Sequence, residues 1–203
     1  MTDMRTEIVA TALRMVAEKR ANFNRFSYTE GPLRMSCVHH PWCKPTIHCD
    51  CSAAITYQFA WNGAPDPNGL NYDGRGFTGT ELSHGEHIIA ILKNGRPARR
   101  VRAGDVVVYG PYPGWHTALV VDVSNPSDPL TVSMGWNGEP ALVYVSQDGR
   151  LPQTYLRFPT SRIGPLRRVV RRRLPVRVGQ SRAVLARPSP AAIVAAIIKT
   201  ANG

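Results

Sequence analysis

Beyond Asp148 the chain contains no acidic residue. From Gly149 to Gly203 it carries eleven Arg and one Lys, while the full 203 residues have a net charge of +11, so the first 148 are close to neutral. Nine of those arginines fall between Arg162 and Arg187. An unopposed basic stretch seeks polyanions: nucleic acid, anionic lipid or the anionic polymers of a cell envelope. Long apolar runs are missing too. No segment reaches the ~18 residues that would span a bilayer, and Ala191–Ile198 is too short. The opening stretch MTDMRTEIVATALRMVAEKR contains acids and lacks a continuous apolar centre, so it does not read as a secretory signal. Internal repeats and a helical His-Glu-x-x-His pattern are also absent. Cysteine occurs only between residues 37 and 51, as Cys37, Cys43, Cys49 and Cys51. A disulfide scaffold would scatter cysteines through the fold, so this clustering points to local chemistry.

With 43% hydrophobic and 19% charged residues, the composition is that of a globular domain. Seventeen Gly and seventeen Pro favour turns and short strands over a helix bundle. Residues 3–20 read as a helix: Asp3 is a plausible N-cap, and Ile8, Val9, Leu13 and Val16 share one face. Residues 22–48 lose that period and read as a long loop. A second helix is expected from Asp50 or Cys51 to about Trp61, where Asn62-Gly63 and two prolines stop it. Residues 62–80, rich in Gly, Asn, Asp and Pro, read as a surface loop. Strand-like runs follow at Val106–Tyr109, Thr117–Val123, Leu130–Met134, Ala141–Val145 and Tyr155–Phe158, each bounded by turn residues. Helices first and a meandering sheet afterwards predict an α+β fold, with helices packed on an antiparallel sheet. The expected domain covers residues 1–158, and 159–203 form a basic extension with a short terminal helix from Ala191.

Two segments carry chemistry. Asp50-Cys51-Ser52 opens the second helix, where free backbone N–H groups and the helix dipole favour a thiolate and offer donors for an oxyanion. Trp115-His116-Thr117-Ala118 opens a strand after the loop Gly110–Gly114, placing His116 where it can take a proton from a thiol on a packed helix.

Read in order, these segments resemble the NlpC-type cell-wall peptidases, part of the papain-like group that includes CHAP amidases. The stretches that carry the resemblance are Asp50-Cys51-Ser52 with its apolar helix and Phe77-Thr78-Gly79-Thr80 with Leu82. Arg102–Gly110 and the strand from His116 complete it. The resemblance covers roughly residues 25–145. Tyr28-Thr29-Glu30-Gly31 is similar to bacteriophage lysins that carry this domain. The resemblance implies a papain-like fold and hydrolysis of peptidoglycan stem-peptide amides by Cys51 and His116 through a thioester, without cofactor or metal. It sets Tyr28, Asp50 and Ser52 at the substrate, and Trp115 is placed there by its position beside His116. It also implies an endolysin made in the host cytoplasm that reaches the wall after release, its arginines contacting an anionic envelope polymer.

The third catalytic member departs from the family, which usually has a His where this chain has Met134. A symmetric hairpin about residues 124–129 would set Val123 opposite Leu130 and His116 opposite Asn137, giving a Cys-His-Asn triad. A one-residue slip would bring Trp136 or Gly138 there instead. A different class stays open as well. Cys37, His39, His40, Cys43, His48, Cys49 and Cys51 are a dense set of zinc donors, and with the arginine tail they suggest a zinc-containing nucleic-acid binder. Their spacings match no common finger, and this reading leaves His116 unused. Cys37 and Cys43 could instead pair, or bind a metal within the loop. His84 and His87 read as a solvated loop.

Overall fold

A computed structural model describes residues 3–88, 92–93, 96–97, 100–135 and 139–161. Asn137, the arginine run from Arg162 and the expected terminal helix lie outside the described residues. In chain order the elements are α1 (Met4–Ala21), β1 (Phe26–Tyr28), β2 (Ile47–Cys49), α2 (Cys51–Ala60) and α3 (Thr78–His84). Then come β3 (Glu86–His87), β4 (Leu92–Lys93), β5 (Arg96–Pro97), β6 (Val106–Tyr109), β7 (His116–Asp122) and β8 (Leu130–Met134). β9 (Pro140–Tyr144), α4 (Val145–Asp148) and β10 (Gln153–Arg157) complete the set.

The α1 helix forms where its period predicts. Asp3 caps it by accepting from the Arg5 N–H at 3.4 Å, Lys19 and Arg20 suit its C-terminal dipole, and Ile8, Val9, Ala12, Leu13 and Val16 are buried. Every residue of α2 from Cys51 to Phe59 is buried. Ile55 and Phe59 join the core over the sheet, while Ala53, Ala54 and Tyr57 pack on Phe26, Cys37, Ile47 and Cys49. A helix that is apolar on all sides must be covered on all sides. The expected loop 22–48 supplies that cover. Its chain pairs β1 with β2 in parallel, and a disulfide joins Cys37 to Cys43. Three-residue strands are too short to leave an alternation in the sequence.

Six strands form the main sheet in the order β3-β10-β6-β7-β8-β9, with every neighbouring pair antiparallel. The fold is α+β. One face, with Val106, Val108, Leu119, Val132 and Leu156, carries the helices; the other holds Val107, Tyr109, Ala118 and Val145. Since α1 and Phe158 both enter the core, it is wider than the stretch 25–145. Asp105, fully buried before β6, accepts from Arg5 Nη1 (2.8 Å) on α1 and from Arg157 Nε and Nη2 (2.9 and 2.7 Å) on β10. The Arg102 N–H adds a fourth bond at 2.8 Å.

The structure corrects the expected register of the β7–β8 hairpin. Leu130 pairs with Asp122 rather than Val123, and an irregularity between Val120 and Asp122 then sets Ala118 opposite Ser133. Two local causes account for this. Asp122 Oδ1 accepts from the Ser124 N–H and hydroxyl at 2.8 and 2.7 Å, which starts the turn one residue early. The bulge at Val121 then adds a residue to one strand only. The expected pairing of Val123 with Leu130 is therefore replaced by that of Asp122 with Leu130, and Asn137 itself lies outside the described residues.

The expected loop 62–80 ends in the short helix α3. Asp66 ties the loop: its Oδ1 accepts the Asn68 N–H and Nδ2 (3.0 and 3.2 Å), and its Oδ2 accepts the Leu70 and Tyr72 N–H groups (3.0 and 2.8 Å). Thr80 Oγ1 caps α3 by accepting from the Phe77 N–H at 2.8 Å.

Candidate active site

Cys51 stands at the first position of α2, and Asp50 is its N-cap. Asp50 Oδ1 accepts from the Ala53 N–H (2.6 Å) and the Ser52 hydroxyl (2.9 Å), and Oδ2 pairs with Arg34 Nη1 at 3.1 Å. Arg34 also reaches Ser52 Oγ (3.3 Å) and the Gly76 carbonyl (2.6 Å). Asp50 and Ser52 therefore brace the helix start. Cys51 is 7% exposed, and the backbone N–H groups of Ser52 and Thr117 act on its sulfur in favour of the thiolate. It thus lies at the peptide that follows His116.

The helix start alone predicts a depressed thiol pKa. Here burial dominates, and with the charges of Asp50 and Glu81 it pushes Cys51 up to about 12 against the two N–H bonds. The resting group is a thiol.

His116 is buried, stacked on Tyr109 with ring centroids 5.8 Å apart. Its Nε2 is 2.7 Å from Ser133 Oγ and 4.0 Å from Asp148 Oδ2. Nδ1 has no hydrogen bond among the described residues, and no such bond links the imidazole to Cys51. Arg150 clasps Asp148 through two 2.6 Å bonds and lies over Tyr109. Gly149, with φ +68°, makes the left-handed turn that brings Arg150 back beside α4. Burial, then the Arg150 charge, pulls His116 down to about 4, and Asp148 opposes this only in part. Burial pushes Asp148 up, but the bonds and charge of Arg150, with His116 behind them, bring it below the usual carboxylate range. The imidazole is neutral at neutral pH.

Trp115 is 59% exposed and covers Gly110, where a Cβ would come within 2.5 Å of the indole. Tyr112, three residues before Trp115, is exposed as well, as is Phe77, and Thr78 Oγ1 donates to the Gly114 carbonyl at 3.3 Å. Tyr28 lies close enough to Cys51 and Asp50 for both to raise its phenol, after burial itself. The donors once considered for zinc are dispersed: Cys37 and Cys43 share a disulfide, and among the described residues no three His, Cys, Asp or Glu are grouped to hold a metal. His87 Nε2 is bonded to the Leu82 carbonyl at 2.7 Å.

Sequence reasoning missed Arg34, Glu81, Ser133, Asp148 and Arg150. Ser133 directly precedes Met134, the position compared with the family's His, so knowing the bulge would have found it. Glu81 sits in α3, is fully buried, and neither of its carboxyl oxygens has a hydrogen bond. No signal in a Gly-rich segment marks such a residue.

No protein-family model matches the chain, and no curated protein is similar to it in sequence. Among solved structures it is similar to a mutant of the Resuscitation Promoting Factor Interacting protein RipA. The identity there is 19% over 74% of this chain and 65% of that one, with a TM-score of 0.40. It is also similar to a hypothetical invasion protein of Mycobacterium tuberculosis, at 19% identity over 73% and 62% with a TM-score of 0.39. A third is the P60 domain of an antigen of M. avium subspecies paratuberculosis, at 21% identity over 72% and 94% with a TM-score of 0.35. The chain spans a little under two thirds of the first two.

Proposed function

We propose that the chain is an NlpC-type cysteine hydrolase that cleaves amide bonds in peptidoglycan stem peptides, with the role of a phage endolysin. The observation that carries this reading is Cys51 at the first position of α2, a helix packed on β7, the strand that opens with His116. In the attack, sulfur bonds to the scissile carbonyl carbon and its proton passes to His116 Nδ1, the nitrogen left unbonded. Since the resting pair is thiol and neutral imidazole, the proton moves as the C–S bond forms. The Ser52 N–H, at the start of α2, receives the developing oxyanion in this reading. Collapse breaks the C–N bond, the imidazolium protonates the leaving amine, and water then hydrolyses the thioester. Ser133 takes the orienting role once given to Asn137, its oxygen fixing the ring through Nε2, with Asp148 behind it to support the transient positive charge. Mass spectrometry of purified peptidoglycan after incubation with the protein tests the reading. New amine and carboxyl ends within stem peptides are expected, and an undigested wall overturns it.

The arginines from Arg162 onward are proposed to hold the enzyme on an anionic envelope polymer. Screening shortens from ~8 Å at physiological salt to ~3 Å at 1 M, so sedimentation with walls should fall steeply over that range. A chain ending at Ser161 should bind weakly at every salt concentration and still cleave soluble muropeptides. Preference of the intact chain for RNA or DNA over wall in direct competition would reassign the tail to nucleic acid.

A further inference from the structure

We propose that Arg150 is a positioning residue for His116: by clasping Asp148 it withholds that carboxylate from the imidazole and leaves the ring free to accept a proton. The proposal deepens the reading of His116 as the base, on which its functional meaning rests.

The groups involved meet on one face of the sheet. β6 and β7 pair Tyr109 with His116 and Val107 with Ala118, and β8 sets Ser133 opposite Ala118. The hydrogen bond between His116 Nε2 and Ser133 Oγ, at 2.7 Å, occupies the nitrogen nearest Asp148. Asp148 Oδ2 stands 4.0 Å from that nitrogen, beyond hydrogen-bond reach. Both carboxylate oxygens are engaged elsewhere: Oδ1 accepts from Arg150 Nε and Oδ2 from Arg150 Nη2, each at 2.6 Å. Such a two-pronged pairing fixes geometry as well as charge. The guanidinium also lies 5.9 Å from the centroid of Tyr109, the ring that stacks on His116. An ion pair between residues two apart on an exposed turn does little. Here the Asp148 side chain is 8% exposed and His116 is 4% exposed, so little solvent screens the carboxylate from the imidazole.

Two states of the site follow. With the clasp closed, burial and then the Arg150 charge hold His116 down to about 4, and Asp148 opposes them only in part. With Arg150 removed, the carboxylate is released to close the 4.0 Å gap onto an imidazolium, which favours the charged ring. His116 would then lose its capacity as a base at a higher pH. The other ionisable groups on the elements around it stay neutral across that range. Tyr109 on β6 and Tyr155 on β10 are phenols raised by burial, and Cys51 on α2 is a thiol pushed up to about 12.

The test follows the Cε1–H signal of the His116 ring by NMR from pH 3 to pH 8 in the full chain. A His116→Gln spectrum assigns the signal among the six histidines. In Arg150→Gln the midpoint should rise by about 1–2 pH units, and adding Asp148→Asn should return it to within about half a pH unit of wild type. Arg150→Met, which keeps an unbranched stem over Tyr109, should give the same rise and serves if the amide disturbs folding. An unmoved midpoint in both single variants overturns the proposal. A rise that persists in the double variant also overturns it, because Arg150 would then act by its own charge and not through Asp148. No substrate enters the measurement, so the clasp can fail while His116 is the base, and the hydrolase reading can fail while the clasp holds.

Discussion

Under the proposed function, Cys51→Ala is expected to abolish release of stem-peptide ends from peptidoglycan and to leave the fold intact. Under the proposed mechanism no other group can form the thioester, so the loss is on the order of 10⁴-fold or more in kcat. Structure should survive, since the change removes one sulfur atom at a helix start whose bracing comes from Asp50, Ser52 and Arg34 rather than from Cys51 itself. Cys51→Ser loses nearly as much, because a hydroxyl in the same buried, anionic surroundings holds its proton more tightly than the thiol. Hydrolysis and circular dichroism measured on the same preparations check both statements. Full turnover by a folded Cys51→Ala protein would exclude the cysteine mechanism and leave the fold to be explained by another function.

Asp105→Ala is expected to give the largest loss of stability among single surface-distant changes. Asp105 is fully buried, while the side chains of its partners Arg5 and Arg157 retain 18% and 17% exposure. Removing the carboxylate takes away four hydrogen bonds and strands two partly desolvated guanidinium groups. Breaking a buried pair in this way costs about 3–5 kcal/mol. In a domain of this size that corresponds to a fall in Tm of roughly 10 °C. Because Asp105 joins α1 to β6 and β10, chemical denaturation should report one lowered transition rather than a separate loss of α1. Asp105→Asn keeps part of the geometry and should cost less. A Tm within a degree or two of wild type for Asp105→Ala would show that water replaces the carboxylate without penalty.

Much of this protein is legible in its sequence where local rules decide. The α1 helix follows from Asp3 and the spacing of Ile8, Val9, Leu13 and Val16. The start of α2 at Cys51 follows from the Asp50 cap, and β6, β7 and β8 follow from their apolar runs between turn residues. The α+β class needs only that order of elements. What the sequence leaves undecided depends on a third dimension. The partner of His116 turned on one bulged residue at Val121 and a turn that Asp122 starts early, and period-2 patterning does not change when a register slips by two. The ionisation of Cys51 depended on burial and on Asp50 and Glu81 outweighing the helix start, and no local pattern reveals how deeply a residue will be covered. Glu81, Asp148 and Arg150 reach the site from segments separated from Cys51 by 30 to 99 positions, so only packing puts them there. The sequence by itself determined which residues are able to react; the tertiary structure decided their protonation and their neighbours, because both depend on distance and solvent exclusion rather than on order along the chain.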